Sequence, residues 1–434
     1  MVSQILFFIA FVAAVALFYK NAKKIVRNIK LGKSSIPTHN KKQRWHNMLK
    51  VAFGQSKMGV KPVVAILHFI VYAGFIIINI EVLEIIIDGL FGTHRIFSFL
   101  GSFYNFLIGS FEILALLVLI AVIAFLARRL VLKIKRFSGV EMTTLPKQDA
   151  TNILLIEVVL MCAFLLMNAS DLQLQLLNHP NYTLAGYFPI SQHLGFMLPQ
   201  SAQALVFIER FCWWLHILGI LAFLNYLPLS KHLHIILAFP NTWYANLNAI
   251  GGFNNMQLVT NEVKAMLDPT FIPPPTTEVL RFGAKDVTDL SQIQLLNAYT
   301  CTECGRCTAV CPANITGKLL SPRKIMMDTR DRITEVGKNL DKNDLGFDDG
   351  KSLLDNYISR EEIWACTTCN ACVEACPINI DPLSIILDLR RYAVMEESKA
   401  PNSLNNMFGN IENNGAPWKY AAADRLNWAN SQQN

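Results

Sequence analysis

Long apolar segments alternate with basic connecting segments over the first half of the chain. Five hydrophobic runs lie at about 2–19, 62–87, 105–127, 152–170 and 202–229. Each run is close to the roughly 20 residues that an α-helix needs to cross the apolar core of a bilayer. We therefore expect five transmembrane helices. The first is expected to be a retained helix, because no basic stretch precedes it as in a signal peptide.

Lysine and arginine are concentrated in alternate connections between these runs. The segment 20–61 carries twelve of them and 128–147 carries six, whereas 171–200 carries none. Arg95 is the one basic residue between the second and third runs. Because basic connections stay in the cytoplasm, the pattern predicts an N-terminus outside and a cytoplasmic C-terminal half. These loops account for most of the net charge of +7, so we expect no nucleic-acid partner.

The second half of the chain has shorter amphipathic segments and two cysteine runs. One run, beginning at Cys301, reads CTECGRCTAVCP, and the other, beginning at Cys366, reads CTTCNACVEACP. Both follow the C-x2-C-x2-C-x3-C-P spacing that holds [4Fe–4S] clusters in bacterial ferredoxins, where the fourth cysteine ligates the other cluster. The predicted ligands are therefore Cys301, Cys304, Cys307 and Cys376 for one cluster, and Cys366, Cys369, Cys372 and Cys311 for the second.

Structural zinc and disulfides are the alternatives for these eight cysteines. Zinc sites more often use two C-x2-C pairs separated by a longer loop, and no histidine lies between Cys301 and Cys376. Disulfides are disfavoured because the predicted cytoplasmic side is reducing. Iron–sulfur clusters, which carry single electrons, are the preferred interpretation.

Composition agrees with a membrane part followed by a polar part. The chain is 52% hydrophobic and only 16% charged, and it contains no Walker loop or dinucleotide fingerprint. Helical spacing at 289–299, 323–336 and 353–364 favours an α-helical ferredoxin over the compact type. We expect an all-α fold: a five-helix transmembrane bundle followed by a cytoplasmic α-helical ferredoxin domain. The expected parts are a membrane domain at 1–235, a linker at 236–280 with a stiff Pro273-Pro274-Pro275 spacer, a dicluster domain at 281–400 and a poorly ordered tail at 401–434.

Three histidines lie in or beside the predicted membrane helices: His68, His216 and His234. The last two are eighteen residues apart, which is five turns at about 3.6 residues per turn, so an unbroken helix would point both to one face and His232 to the other. Two b-type haems stacked across a bilayer need such ligands. We expect His68 and His234 to hold a haem near the cytoplasm and His216 to hold a second one. The alternative is that each histidine only satisfies a helix contact.

Acidic side chains also occur within the apolar runs. Glu209 lies seven residues before His216 and therefore on the same helical face. A quinol proton or a haem propionate is one candidate partner for this carboxylate. An ion pair with the adjacent Arg210, or extension of the side chain to the membrane interface, is the preferred interpretation.

Two stretches resemble known families. HILGILAFLNYLPLSKHLH is similar to the last helix of the membrane cytochrome b subunit of respiratory nitrate reductases. FGAKDVTDLSQIQLLNAYTCTECGRCTAVCP resembles the dicluster ferredoxin module of heterodisulfide-reductase-like iron–sulfur oxidoreductases. The resemblance implies that His68 and His234 serve a cytoplasmic haem and His216 an outer haem. The family's fourth haem histidine falls near Ile78 here, which is a departure from the pattern.

The resemblance implies an electron-transfer subunit of a bacterial plasma membrane. Electrons would pass between the quinone pool, via one or two haems b, and a cytoplasmic redox partner, via two [4Fe–4S] clusters. Since this chain has no adjacent Cys-Cys pair, the cysteine-rich CCG-type catalytic part of such enzymes would be a separate iron–sulfur subunit. The alternatives are a haem-free membrane ferredoxin that acts as a metal reductase or cofactor-assembly factor, and a zinc-stabilised scaffold.

Overall fold

The computed structural model describes residues 1–35, 37, 39–274, 281–343 and 347–431. Helices dominate these residues. Within these ranges there is no β-strand, and bridge pairing is limited to isolated contacts such as Lys33 with Ser291. The predicted all-α class is confirmed.

Five long helices form the first half of the chain, and each is long and apolar enough to cross a membrane. The prediction of five such helices is confirmed, and the chain is a membrane protein. Several extend beyond the apolar runs because their polar ends pack on other parts of the chain. Their bounds are Val2–Lys30 (α1), Pro62–Phe91 (α2), Ser102–Leu130 (α3), Thr144–Leu176 (α4) and Ala202–Tyr226 (α5).

The five helices pack as a ring, in the order α1, α2, α3, α4, α5 and back to α1. Buried aromatic and aliphatic side chains, including Phe7, Phe164 and Ile217, fill the interior. Gly219 lets α5 approach α4 closely, because a Cβ there would lie 2.6 Å from Cδ2 of Leu160. This close approach places the segment around His216 directly beside the backbone of α4.

The chain does not continue as one helix from His216 to His234. Helix α5 ends at Tyr226, and two short 3-10 turns follow before helix α6, His234–Trp243. Pro228 has no N–H to continue the helical hydrogen bonds, and Ser230 Oγ accepts a hydrogen bond from the His232 amide at 3.2 Å, which starts the second turn. His232 therefore does not face away from His234, and their rings stack at a centroid distance of 5.5 Å.

The second half contains shorter helices around the cysteine runs. The helix predicted at 323–336 is present and longer, whereas the helix predicted at 353–364 begins only at Arg360, because Asp355 has a left-handed backbone with φ of 77°. Among the described residues, the helices of six or more residues after α6 are Gln257–Leu267 (α7), Gln292–Thr300 (α8), Pro322–Lys342 (α9), Arg360–Ala365 (α10), Pro382–Met395 (α11) and Asn402–Asn414 (α12).

Two sequence expectations for the connecting parts need qualification. The tail expected to be poorly ordered contains helix α12, none of whose residues is buried. The first part of the expected linker is helical as well, because it belongs to α6. This helix packs on α8. The last residue of the proline spacer, Pro275, lies outside the described residues.

The membrane bundle and the cysteine-bearing part share a packed core. Ile25 of α1 and Leu233 belong to the same buried cluster as Leu295 of α8. Asn28 of α1 donates a hydrogen bond from Nδ2 to Tyr299 Oη at 2.9 Å. Helix α1 is therefore longer than its apolar run because its polar end is buried against the helices that carry the cysteines.

Candidate metal centres

The helices that precede the two cysteine runs begin in the same way. Helix α8 starts with a capping box between Ser291 and Gln294, and α10 starts with one between Ser359 and Glu362. A capping box satisfies two backbone donors that a helix start otherwise leaves free. Each helix ends directly before the first cysteine of its run. The two S-x-x-E/Q patterns therefore mark where the helices that lead into the cysteine runs begin. This signal in the sequence is separate from the cysteine spacing.

Left-handed residues turn the backbone between the cysteines of both runs. Glu303 and Gly305 have φ of 55° and 71°, and Thr368 and Asn370, at the equivalent positions, have φ of 57° and 60°. Turns of this kind form concave loops whose backbone N–H groups favour an anionic group such as an iron–sulfur cluster. At Gly305 a glycine is also required by space, since a Cβ would lie 2.6 Å from Nη1 of Arg323.

The two loops face each other across a pair of small cavities lined by thiols. The short helices Arg306–Ala309 and Ala371–Ala375, each of which contains the third cysteine of its run, pack together. This packing brings the fourth cysteine of each run to the loop of the other, as the sequence analysis expects. The first cavity is lined by Cys301, Cys304, Cys307, Cys376 and also Cys372, and the second by Cys366, Cys369, Cys372 and Cys311.

These two cavities fit clusters better than free thiols. Burial raises the pKa of the Cys301 thiol to about 11 and that of the Cys376 thiol to about 12. Uncompensated thiols there are neutral at pH 7, and bound iron supplies the positive charge that favours thiolates. Backbone amides also donate to the sulfurs: Ile380 to Cys376 at 3.3 Å and Thr368 to Cys366 at 3.4 Å. That these cysteines ligate clusters stays a prediction.

Cationic side chains crowd the first cavity on the side of the membrane bundle. Arg306 and Arg323 line it. The pKa of Lys61, at the start of α2, is lowered mainly by the neighbouring charge of Arg136 and by burial. Several positive charges this close to the cavity would stabilise an anionic, thiolate-ligated cluster and favour its reduced form.

Arg323 is the most deeply buried cation of this group and joins the cavity to the bundle. Its side chain is 1% exposed and pairs with Glu141, between α3 and α4, at 2.7 Å. It also donates to the carbonyl of Arg136 at 2.6 Å. A cation in the first turn of α9 opposes the helix dipole, so the carboxylate of Glu141 is needed to stabilise it.

Replacing Arg323 by alanine is expected to lower the free energy of unfolding by about 3–5 kcal/mol, because it leaves Glu141 buried without its partner. Replacing Lys351, which is about half exposed in its pair with Glu335, is the matched control and is expected to cost about 0–1 kcal/mol. Chemical denaturation of the detergent-solubilised chain, followed by circular dichroism, measures both. Equal effects of the two substitutions would contradict the structural role of Arg323.

A second ion pair connects the first cysteine loop to the end of the bundle. Lys231, just after α5, contacts Glu303, which lies between two of the cysteines. Arg330 of α9 pairs with the same carboxylate at 2.8 Å. Burial alone would raise the pKa of Glu303, but Arg330 and Lys231 overcome this effect and lower it. No local pattern indicates Glu303, Arg306 or Arg323, since their contacts with Lys231, Lys57 and Glu141 join residues more than 70 positions apart in the chain.

The three candidate haem histidines share one hydrogen-bonding arrangement. Nδ1 lies 3.0 Å from Gln55 Oε1 in His68, 3.0 Å from the Leu160 carbonyl in His216 and 3.1 Å from the Lys231 carbonyl in His234. Because these oxygens accept, Nδ1 carries the proton in each ring and Nε2 keeps a free lone pair. This is the tautomer of a metal-ligating histidine whose orientation is set by a second hydrogen bond.

His68 and His234 come together, and His216 lies apart. His68 is close enough to His234 and Arg306 to interact electrostatically with both. His232, which the sequence analysis set aside, joins this group, but its buried Nδ1 has no hydrogen-bond partner among the described residues. Burial lowers the pKa of His232 to about 3. Ile78, at the position of the family's fourth haem histidine, is buried and cannot bind iron.

The interior of the bundle also carries polar contacts that the sequence analysis did not assign. Arg95, considered there only as a charge in a loop, is buried and donates to Asp171 at 2.6 Å and to Asn168 at 2.9 Å. Glu209 contacts Arg210, as preferred from the sequence, and also accepts from Tyr182 at 2.8 Å. These groups lie at the end of the bundle away from the cysteines.

Comparison with known proteins identifies the cysteine-bearing part. A family model described as a 4Fe-4S dicluster domain matches residues 300–380. The chain is 32% identical, over 98% of its length and 60% of the relative, to the "Probable iron-sulfur-binding oxidoreductase FadF" of Bacillus subtilis. It is 25% identical, over 92% of its length and 56% of the relative, to the "EtfAB:quinone oxidoreductase" of Syntrophomonas wolfei.

A third relative matches a smaller part. The chain is 32% identical, over 34% of its length and 24% of the relative, to a "Probable membrane-anchored ferredoxin" of Chromohalobacter salexigens. The chain spans 60% or less of the length of all three relatives. No solved structure matches it. The chain therefore contains a 4Fe-4S dicluster domain and is similar to proteins named as an iron–sulfur-binding oxidoreductase, a quinone oxidoreductase and a membrane-anchored ferredoxin.

Proposed function

We propose that this chain is a membrane electron-transfer subunit that passes electrons between the quinone pool and a cytoplasmic redox partner, through haem b and two [4Fe–4S] clusters. One observation carries the proposal: His68 and His234 lie together beside the first cysteine loop, each with Nδ1 bound to oxygen and Nε2 free. Two such imidazoles would hold the iron of haem b through Nε2.

The connection before α2 links the proposed haem site to the first cysteine loop. Gln55 holds His68, and two residues later the carbonyl of Lys57 accepts a hydrogen bond from Arg306 at 3.2 Å. Lys57 Nζ also donates to the carbonyl of Glu374, in the second run, at 3.3 Å. A haem held by His68 would therefore adjoin the first cluster, and the second cluster would lie beyond it. Haem and clusters supply the one-electron chemistry, while the protein sets their positions and surroundings.

The orientation and the partners also belong to this proposal. Residues of three basic connections contact the cysteine-bearing part: Lys57 and Lys231 through their ammonium groups, and Arg136 through its carbonyl. Since basic connections stay inside, the clusters would lie in the cytoplasm of a bacterial cell and the N-terminus outside. The similarity to a protein named for quinone supports a quinone in the membrane. A CCG-type iron–sulfur subunit is the proposed soluble partner.

The similarity to a membrane-anchored ferredoxin favours a second candidate function. In that case the bundle serves as an anchor, and a haem-free chain delivers electrons from its clusters to a metal or to a cofactor-assembly reaction. The histidines would then satisfy helix contacts only.

One preparation of the full chain separates these functions. A pyridine-haemochrome assay is combined with iron and acid-labile sulfide analysis. The proposal expects about eight cluster irons per chain together with one or two haems b. Eight cluster irons without haem support the ferredoxin function instead, and zinc without sulfide contradicts both.

A further inference from the structure

A helical segment between α1 and α2 lies beside α6. It consists of the helix Lys41–Met48 and the π-helical turn Leu49–Phe53 that continues it. The buried Arg44 fixes its inner face, since Nη1 donates to the carbonyls of Trp243 and Ala245, each at 3.0 Å. The 41–53 segment is therefore held against the end of α6 in a defined position.

The outer side of the 41–53 segment carries an apolar stripe. Trp45, Leu49 and Phe53 follow one another at intervals of four residues, which places them along one side of a helix. Each of these three residues is more than half exposed. A contiguous apolar surface of this kind marks a contact with a partner or with a membrane.

The stripe is continuous with the outer surface of the membrane bundle. The ring of Phe53 lies 6.3 Å from the ring of Tyr72 in α2, measured between centroids. Ile66 and Phe69, which precede Tyr72 in the same helix, are also more than half exposed. Because α2 is a membrane helix, its exposed apolar side chains face lipid. The apolar stripe of the 41–53 segment therefore meets the lipid at its Phe53 end.

The charge of this region selects an anionic lipid. No Asp or Glu occurs in the first 80 residues of the chain, so the lysines of the segment have no acidic neighbour in sequence. Lys42 and Lys50 are both exposed. The basic residues around the segment that do pair with distant carboxylates are Lys24, Arg27 and Lys57. Lysines at the membrane surface attract anionic phospholipids over a distance of about one Debye length.

A lipid surface fits this combination better than a soluble protein does. A helix that lies in the membrane interface buries its apolar side at the boundary of head groups and acyl chains, and its lysines reach the phosphates. Tryptophan is favoured at the same depth, because its ring is apolar and its N–H is polar. A soluble partner would instead have to reach the lipid-facing side of α2 in order to cover Phe53.

We propose that the 41–53 segment is an interfacial helix that binds anionic phospholipids in the leaflet on the side of the cysteines. Trp45, Leu49 and Phe53 enter the boundary of head groups and acyl chains, and Lys42 and Lys50 pair with lipid phosphates. This binding surface goes beyond the proposed function and depends on neither haem nor clusters.

The segment leads into the residues that join the bundle to the first cysteine loop. Gln55 contacts Nδ1 of His68, and the carbonyl of Lys57 accepts a hydrogen bond from Arg306. Both residues follow Phe53 within four positions. Lipid bound to the 41–53 segment would therefore hold this connection at the membrane surface.

The first test uses the wild-type full chain in nanodiscs of phosphatidylcholine and phosphatidylglycerol, so it does not depend on the folding of a variant. A trace of phosphatidylglycerol with a photoactivatable diazirine on its acyl chain is added, and mass spectrometry locates the label after irradiation. Label is expected on Trp45, Leu49 and Phe53. Ile315 and Leu319 are matched controls, because they are at least as exposed but belong to the cysteine-bearing part, and they should stay unlabelled.

The second test compares photoactivatable phosphatidylglycerol with photoactivatable phosphatidylcholine in the same nanodiscs. The wild type is expected to prefer the anionic lipid on the 41–53 segment by about 5-fold or more, since each lysine near the surface contributes a factor of about 5. Lys42→Gln combined with Lys50→Gln should bring the ratio close to one. Lys318→Gln combined with Lys338→Gln, at exposed lysines of the cysteine-bearing part, should leave it unchanged. Salt at about 1 M should act like the first pair, because it screens exposed charges.

Two results would overturn the proposal. If Phe69 of α2 is labelled while the 41–53 segment is not, the apolar stripe does not contact lipid. If both lipids label the segment equally, or if the ratio is the same in all proteins, the lysines do not recognise anionic lipid. Neither result bears on the proposed function, which haem and cluster analysis tests separately.

Discussion

Replacing Cys376 by serine is expected to remove the cluster beside the membrane bundle and to leave the other one in place. Cys376 belongs to the second run in sequence, but it lines the cavity of Cys301, Cys304 and Cys307. The variant should therefore lose about four of about eight cluster irons. Replacing Cys311, which lines the other cavity, should remove the remaining cluster instead.

Double substitutions identify which cysteines share a cluster. Cys376→Ser combined with Cys304→Ser should lose no more iron than either change alone, because both remove the same cluster. Cys376→Ser combined with Cys369→Ser should lose nearly all cluster iron. Iron and sulfide analysis with electron paramagnetic resonance of the reduced protein measures these outcomes. Cys212→Ser, in α5 and away from both cavities, is the control and should keep both clusters.

The opposite result would identify a different arrangement. If each run holds its own cluster with four consecutive cysteines, Cys376→Ser with Cys369→Ser will lose only one cluster.

Replacing His234 by alanine is expected to abolish the b-type band of the haem nearest the clusters. The ring is oriented by the hydrogen bond from Nδ1 to the Lys231 carbonyl, so its Nε2 is available to iron. Burial also lowers the pKa of His234, which keeps the imidazole neutral as a ligand must be. His68→Ala should have the same effect, and the double variant should lose no more haem than either single variant.

His232 provides the matched control for this experiment. Its ring stacks on His234 but lacks the hydrogen bond that would orient it as a ligand. His232→Ala should therefore retain the band, and pyridine-haemochrome quantification with low-temperature spectra measures the difference. Loss of haem in His232→Ala with retention in His234→Ala would assign the ligand to His232. Unchanged spectra in all variants would instead support the haem-free ferredoxin.

The cluster domain and the membrane helices were predictable because their signals are local. The spacing within each cysteine run and the length of each apolar run depend on consecutive residues, and both predictions agree with the helices and loops observed. The path after α5 was not predictable in the same way. Pro228 and Ser230 end the helix there, so that the position of His234 depends on two turns and not on the periodicity of one helix.

The sequence by itself determined the fold class, the five membrane helices and the presence of a dicluster domain, because hydrophobic length and cysteine spacing are properties of short segments. Only the tertiary structure decided which side chains surround those segments. The pairs of Arg323 with Glu141 and of Lys231 with Glu303 depend on residues that are distant in the chain. Such contacts follow from the packing of whole helices, and no local pattern encodes them.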